Sequence, residues 1–479
     1  MASRKWTRRR LMKNGVIGAA ALATGTLPKA ARAALGANER IRIAVAGING
    51  RGSAHINGFS GIKDVEVAYL IDPDRRLFEH RSKQVQDKGG KAPQVVEDLR
   101  RALEDKNLDV LSVASPNHWH SLMTILACQA GKDVYVEKPL SHDVHEGRIA
   151  VDTARKYNRI VQHGTQNRSS RTWANVMAVI KSGQLGKLLI ARGLCYKKRD
   201  SIGFKSPATP PPELDFDLWL GPAASRPYHE NLVHYNWHWF WDFGNGDIGN
   251  QGVHEMDIAR WGIEGATLPK SVISLGGRFG YSDQGQTANT QITVMDFGQT
   301  QLIFEVRGLK TDRHMGVGVG NIFHLEGGTI VDNKFYPAGS KEPAPLPKID
   351  ESRGPGSSPF KNFIAAVRSR KVSDLNADIL EGHYSSALCH LANISYRLGE
   401  EVPFEPRTGA FGDNKDAYET LARMEDHLKS NEIKLEGLNY RLGRRIEVDA
   451  KAETITNDDE ANRMLIGNYR QPFVVPETV

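Results

Sequence analysis

Apolar residues along this chain fall into two rhythms. In residues 41–46, Ile-Arg-Ile-Ala-Val-Ala, and again in 65–71, 109–114, 133–136 and 159–162, β-branched and aliphatic residues run almost unbroken. Strands buried on both faces of a parallel sheet have that character. Helices are expected between them, one opening at 115–120 and running to 129, another over 144–156. Strands alternating with helices over about 120 residues predict a doubly wound sheet, in which ligands bind at the carboxyl ends of the strands. From residue 164 the rhythm changes. A polar turn, Gly164-Thr165-Gln166-Asn167-Arg168, leads to a helix near 173–182, a strand at 188–196 and a long loop, 207–246, rich in proline and aromatic residues. A helix near 249–261 then precedes strands at 271–281, 291–297, 301–307, 321–326 and 329–331. The tight turns Phe297-Gly298-Gln299 and Gly327-Gly328 predict antiparallel hairpins. Residues 363–370, 383–398 and 416–429 read as helices, and 440–479 are charged with little periodicity. No internal repeat is present.

The length of 479 residues, 40% of them hydrophobic and 25% charged, fits a folded protein of two or three domains. The rhythms divide it into a targeting segment (1–33), a nucleotide domain (34–163), a substrate domain (164–400) and a helical and extended C-terminal extension (401–479). No run of about 18 apolar residues occurs, which excludes an integral membrane bundle. The net charge of +7 suggests nucleic acid only until it is located. Eight of the 63 basic residues lie in 1–33, where no acidic residue occurs; the other 55 face 56 acidic residues. So balanced a chain has no field to hold polyphosphate, and no nucleic-acid partner is expected. Within 1–33, Thr7-Arg8-Arg9-Arg10-Leu11-Met12-Lys13 matches the twin-arginine pattern, 16–27 is weakly apolar, and Ala31-Arg32-Ala33 supplies a small-x-small cleavage site. Export by the twin-arginine machinery to the periplasm or beyond is the expectation. Cys128, Cys195 and Cys389 are far apart, form no zinc or CxxC pattern and read as apolar fillers.

The candidate chemistry collects at strand ends. Gly47-Ile48-Asn49-Gly50-Arg51-Gly52 follows the first strand as a variant of GxGxxG, with Asn49 at the middle glycine position. Small residues there let the backbone turn tightly and approach a pyrophosphate at a helix N-terminus. Asp72 ends the second strand, 25 residues after Gly47. Its carboxylate can hydrogen-bond the adenosine ribose and repel a 2′-phosphate, favouring NAD, although Arg75 and Arg76 leave NADP open. Asp72 can equally cap a helix before Pro73. Ser115-Pro116-Asn117-His118-Trp119-His120 and Glu137-Lys138-Pro139 stand at later strand ends. The expected cofactor contacts are thus Gly47, Asn49, Gly50, Arg51, Gly52, Asp72, Ser115, Pro116, Asn117, His120, Glu137, Lys138 and, from the polar turn, Gln166. His118 and His120 lack a third zinc ligand at a telling spacing, so no metal is expected. In the second domain, Asn250 and His254 share a helical face at i, i+4, so that Asn250 could orient His254 as a base; His254 could equally be a satisfied core residue. Trp237, Trp239 and Trp241 suit sugar faces or simply anchor their loop. Together with Arg168, Tyr196 and Asp257 they are the expected substrate contacts.

Taken together, the glycine loop, Ser115–His120, Glu137-Lys138-Pro139 and the Asn250…His254 helix resemble the Gfo/Idh/MocA oxidoreductases over roughly residues 40–400, in an exported subgroup. The resemblance implies an α/β protein, a Rossmann domain followed by an α+β domain with an open, mostly antiparallel sheet whose outer face often forms a dimer or tetramer. It places Lys138 between nicotinamide and substrate, hydrogen-bonded to the reacting oxygen, and makes His254 the general base. The family often has Asp where this chain has Asn250; Asn cannot relay a proton, and Asp257 or Asp247 could supply the missing carboxylate.

Three functions compete. An exported oxidoreductase would move hydride between a non-dissociating nicotinamide cofactor and a secondary alcohol of a sugar, glycoside or polyol. Because NAD is scarce outside the cytoplasm, hydride would have to be returned, which also fits redox-neutral glycoside cleavage through a keto intermediate. The third is a non-catalytic sugar-binding protein that keeps its nucleotide as structure.

Overall fold

The computed structural model describes residues 40–347, 349, 358–404 and 408–479; residues 1–33, expected to be a twin-arginine signal, lie outside them. The first apolar rhythm forms strands β1 (Ile41–Ala46), β2 (Val65–Ile71), β3 (Gln94–Val96), β4 (Val110–Val113), β5 (Asp133–Val136) and β6 (Val161–His163), with helices α1 (Gly50–Ser60), α2 (Phe78–Asp87), α3 (Leu99–Leu103), α4 (Asn117–Gln129) and α5 (Val144–Lys156) between them. The strands pair in parallel in the order β3-β2-β1-β4-β5-β6. Every residue of β4 and β5 is buried, which is why they carry no polar-apolar alternation. The order reverses beside β1, and the crevice there is the usual ligand position in such sheets.

The second rhythm forms α6 (Arg171–Lys181), β7 (Leu188–Tyr196), α7 (Phe216–Leu220), α8 (Gly246–Asn250), α9 (Gly252–Gly262), β8 (Ser271–Gly277), β9 (Thr290–Asp296), β10 (Gln301–Arg307), β11 (Val319–Leu325), β12 (Gly328–Val331) and β13 (Lys334–Pro337). Helices α10 (Pro359–Ser369) and α11 (Ile379–Arg397), strand β14 (Glu400–Pro403), helix α12 (Lys415–Ser430) and strands β15 (Asn439–Leu442) and β16 (Ile446–Asp449) follow, then strand β17 (Thr454–Ile455), paired with β16, and helix α13 (Asp459–Arg463). The sheet is open, in the order β13-β12-β11-β7-β10-β9-β8-β15-β14, with β16 also on β8; β7 and β10 are parallel and the other pairs antiparallel. Its two faces follow strand parity. Val272, Met295, Leu302 and Phe304 pack with α9 and α11, whereas Ile273, Ile292 and Ile303 pack under α12. The C-terminal extension therefore covers part of the outer face that the resemblance gives to oligomers.

Chain segments beyond residue 163 also complete the nucleotide domain. Phe363, Ile364 and Val367 of α10 join the core with Ile41, Ile43 and Val45, while Ile379, Phe473 and Val475 join the core on its other face. Cys128, Cys195 and Cys389 are buried free thiols. No helix among the described residues is long and apolar enough to cross a membrane.

Candidate active site

The loop after β1 is built for a close backbone approach. Gly47 stands at φ +78°, where a Cβ would fall 2.4 Å from the Ser115 nitrogen. A Cβ on Gly52 would fall 2.0 Å from the Gly47 carbonyl oxygen, so both positions exclude any side chain. Gly50 differs: nothing lies within 4 Å of its missing Cβ, and it opens α1 beside Asn49, whose side chain makes no capping bond. Uncapped N–H groups at the mouth of an open crevice meet the needs of a pyrophosphate. The residues present therefore fit a dinucleotide.

Asp72 arrives at the same edge. Its carboxylate accepts hydrogen bonds from Ile48 N (2.9 Å) and Asp74 N (3.0 Å), and burial pushes its pKa up to about 6. Arg76 is held by Asp74 (Nε–Oδ1 2.8 Å); Arg75 lies 3.0 Å from Glu97 and donates to the Pro212 carbonyl. With both arginines engaged, neither waits for a 2′-phosphate, which favours NAD.

Glu137 is the hub. Its buried carboxylate takes hydrogen bonds from Arg51 Nε (2.7 Å) and Gln166 Nε2 (3.1 Å), with His55 Nε2 at 3.0 Å. Burial opposes its charge, but the hydrogen bond from His55 and the Arg51 charge outweigh it and hold the carboxyl well below the usual range. The hub ties α1 to the end of β5. There the Lys138–Pro139 peptide is cis, and the His120 ring spans from the Pro139 carbonyl oxygen (2.6 Å) to that of Ser115 (2.7 Å). Lys138 Nζ donates to the Asn250 carbonyl oxygen (2.5 Å) and approaches its Oδ1 (3.4 Å). Burial pulls the pKa of this ammonium down against the Glu137 charge.

A cavity of about 320 Å³ joins these parts. Gly47, Asn49, Gly50, Arg51, Asp72, Ser115, Pro116, Asn117, His120, Glu137 and Lys138 line it, as expected of cofactor contacts; Gly52 buttresses the loop and Gln166 acts on Glu137 from behind. Of the expected substrate contacts only Trp237 lines it. Trp239 lies under the Arg199 guanidinium (5.2 Å) and Trp241 under that of Arg397 (5.0 Å). Tyr196 donates to Glu305 (2.7 Å) on the α12 side of the sheet, the opposite face from α9. Arg168 and Asp257 neutralise each other: Arg168 Nε lies 2.9 Å and 3.0 Å from the two Asp257 oxygens, and Ser385 donates to the same carboxylate.

The helix pairing of Asn250 and His254 also takes another form. Chain direction is nearly kept, but α8 ends at Asn250 and α9 begins at Gly252. Asn250 serves Lys138, while His254 Nδ1 is buried without a partner. Burial, then the Lys138 charge, push His254 down to about 3, so it is neutral, and it does not line the cavity that Lys138 and Asn250 share. Asp247, the other substitute for the missing carboxylate, is clasped by Arg199 Nε and NH2 (2.8 and 2.6 Å). Several cavity residues escaped the sequence reading: His234, Tyr235 and His238 of the aromatic loop, Trp219, and Phe473 in the tail. Clustered aromatics hinted at the loop residues. Nothing local marked Phe473.

A family model described as an oxidoreductase family with an NAD-binding Rossmann fold matches residues 41–165, and a second, described as the C-terminal alpha/beta domain of an oxidoreductase family, matches 179–305. The chain is 24% identical over 204 residues to a glycosyl hydrolase family 109 protein of Shewanella pealeana, covering 39% of this chain and 45% of that one. It is 28% identical over 176 residues to myo-inositol 2-dehydrogenase of Thermotoga maritima, covering 37% and 48%. It thus spans less than half the length of these relatives. Among solved structures, the WlbA dehydrogenase from Bordetella pertussis, in complex with NADH and UDP-GlcNAcA, superposes with a TM-score of 0.56 at 18% identity, over 75% of this chain and 97% of that one.

Proposed function

The chain belongs to the Gfo/Idh/MocA oxidoreductase family, and from that premise we propose that it is an exported, NAD-dependent oxidoreductase that moves hydride between a retained nicotinamide and a secondary alcohol of a sugar, glycoside or polyol. The observation that carries the reading is the placement of Lys138. One cavity runs from the uncapped N-terminus of α1 to an ammonium held at Asn250. NAD, when bound, supplies the hydride acceptor; the remaining work falls to this chain's side chains. An ammonium has three donors. Asn250 engages Lys138 on one side and leaves donor capacity for a substrate oxygen, whose developing negative charge the cation stabilises. The family resemblance gives the hydroxyl proton to His254, a neutral ring four residues beyond Asn250. Glu137 fixes Lys138 through the backbone and fixes Arg51 at the phosphate loop. Asn250 positions the ammonium and has no proton to relay.

The test begins with protein purified after export, without added nucleotide. Denaturation and mass spectrometry of the supernatant should release NAD in near-stoichiometric amount. No nucleotide, with none taken up on incubation, would refute the reading. On a substrate from a panel of sugars, glycosides and polyols, Lys138→Ala and His254→Ala should each lower turnover by about 10² or more while keeping their nucleotide. Near-wild-type turnover in both would remove the catalytic assignment.

The glycosyl hydrolase family 109 relatives support a second reading, redox-neutral cleavage. Oxidation at a ring carbon would acidify the neighbouring C–H, and elimination would release the aglycone and leave an unsaturated ketone. Water would add to it at the former glycosidic carbon, and the hydride would return to the ketone. Cleavage of a glycoside without net change in nicotinamide redox state selects this reading; stoichiometric reduction of NAD selects the first.

A further inference from the structure

The sheet order assigns the two ends of the cavity. Lys138 follows β5, on one side of β1, whereas Leu99 and Arg100 follow β3, at the edge on the other side. A dinucleotide whose pyrophosphate sits on α1 and whose nicotinamide reaches Lys138 must lay its adenosine toward Leu99. Trp119 and Met123 of α4 give that end an apolar wall. Its remaining wall comes from outside the nucleotide domain, from Trp219 and Phe473.

Both segments that carry these residues are fastened. Residues 212–219 dock on the loop after β2, with Arg75 N donating to the Glu213 carbonyl (3.0 Å) and Asp215 N to that of Pro73 (2.9 Å). The tail is pinned to the start of α5: His145 N donates to the Leu465 carbonyl (3.0 Å), and Gly467 N (3.1 Å) and Tyr469 Oη (2.8 Å) donate to Asp143. Arg470 then clasps tail to loop, donating from Nε to the Gly221 carbonyl (3.0 Å) and from NH2 to that of Asp217 (2.7 Å). The Phe473 ring stands 5.3 Å from that of Trp119 at 71°, with the Arg100 guanidinium 5.3 Å from its centroid. Phe473 is buried where it lines this end of the cavity.

We propose that Phe473 is the outer wall of the adenine pocket and that the Arg470 clasp makes the tail a strap retaining the dinucleotide between turnovers. This rests on the oxidoreductase reading for the identity of the ligand and adds which residues keep it. Departure of the adenosine end would require Phe473 to withdraw, and with it the Arg470 bonds to the loop.

The experiment loads full-length protein with unlabelled NAD, chases with isotopically labelled NAD and follows exchange by mass spectrometry. Phe473→Ala should speed exchange about fivefold or more, because an aromatic wall against a base is worth at least that much in affinity. Arg470→Ala, which removes no residue lining the cavity, should speed it too, and it serves if the first variant does not fold. Equilibrium titration separates the two ends: ADP-ribose should weaken about tenfold in Phe473→Ala, and nicotinamide mononucleotide should bind as in wild type. Wild-type exchange rates in the folded variants overturn the strap while leaving the oxidoreductase reading standing; equal weakening of both half-ligands overturns the assignment of Phe473 to adenine. Failure of the wild type to bind NAD at all removes both.

Discussion

Asp257→Asn distinguishes a structural carboxylate from a substrate ligand. Asp257 is fully buried and faces Arg168 Nε with both oxygens, at 2.9 and 3.0 Å, while Ser385 donates to it at 2.7 Å. Arg260, itself buried, lies 4.0 Å away. Burial works against the Asp257 charge, but the Arg168 charge and hydrogen bond outweigh it and hold the carboxyl below its ordinary range. Asparagine keeps the shape and removes the charge, leaving two buried guanidinium groups to share Glu381, which is partly exposed. Breaking a buried ion pair from one side costs about 3–5 kcal/mol. In a chain of this size that is about 3–5 °C in melting temperature. Arg168→Met should be similarly damaging, and the double variant should be less destabilised than the sum of the singles by about 2 kcal/mol, because each single strands the other charge. Differential scanning fluorimetry on the four proteins gives the cycle, with Michaelis constants measured on whichever substrate turns over. A melting temperature within 2 °C of wild type, combined with a raised KM, would refute the structural assignment and return Asp257 to the substrate.

Three further outcomes follow from the geometry. NAD should bind at least tenfold more tightly than NADP, with Asp72→Ser eroding the ratio, since the Asp72 carboxylate lines the cavity and Arg75 and Arg76 are engaged elsewhere; equal affinities by calorimetry would contradict this. His254 titrates near 3 in the folded protein against about 6.5 unfolded, so the stability it contributes is full above 6.5 and is lost as pH falls from there toward 3. Wild type should therefore lose about 1–2 kcal/mol more than His254→Leu between pH 7.5 and 5 by urea unfolding; parallel losses would mean the ring is not held neutral. For the same reason kcat/KM should show no acid limb near 6.5 that disappears when His254 is replaced.

The legible parts of this site are those whose signal is local. Strand β1, its glycines and Asp72 lie within about 30 residues, and the physics that makes them a nucleotide edge needs only the turn and the next strand. Lys138 was legible for the same reason, as a cation at a strand end. Tyr196 was misplaced by strand parity, since Cys195 and Tyr196 face opposite sides and only pairing with β10 and β11 settles which side is inward. Trp239 and Trp241 share composition with Trp237; what separates them is a guanidinium over each ring, from Arg199 and Arg397, and neither cation is marked by spacing. Asn250 does not orient His254 because its carbonyl and side-chain oxygens turn to Lys138, which lies 112 residues away in the chain and which no i, i+4 reading could bring in. Phe473 is the extreme case. Its tail shows no periodicity because scattered hydrogen bonds hold it, from backbone groups at Leu465, Gly467 and Arg470 as well as from the side chains of Tyr469 and Arg470, across more than 200 residues of chain. Such a segment can line a cofactor site while reading as an extension, which is why the proposed strap lies in a stretch that carries no pattern of its own.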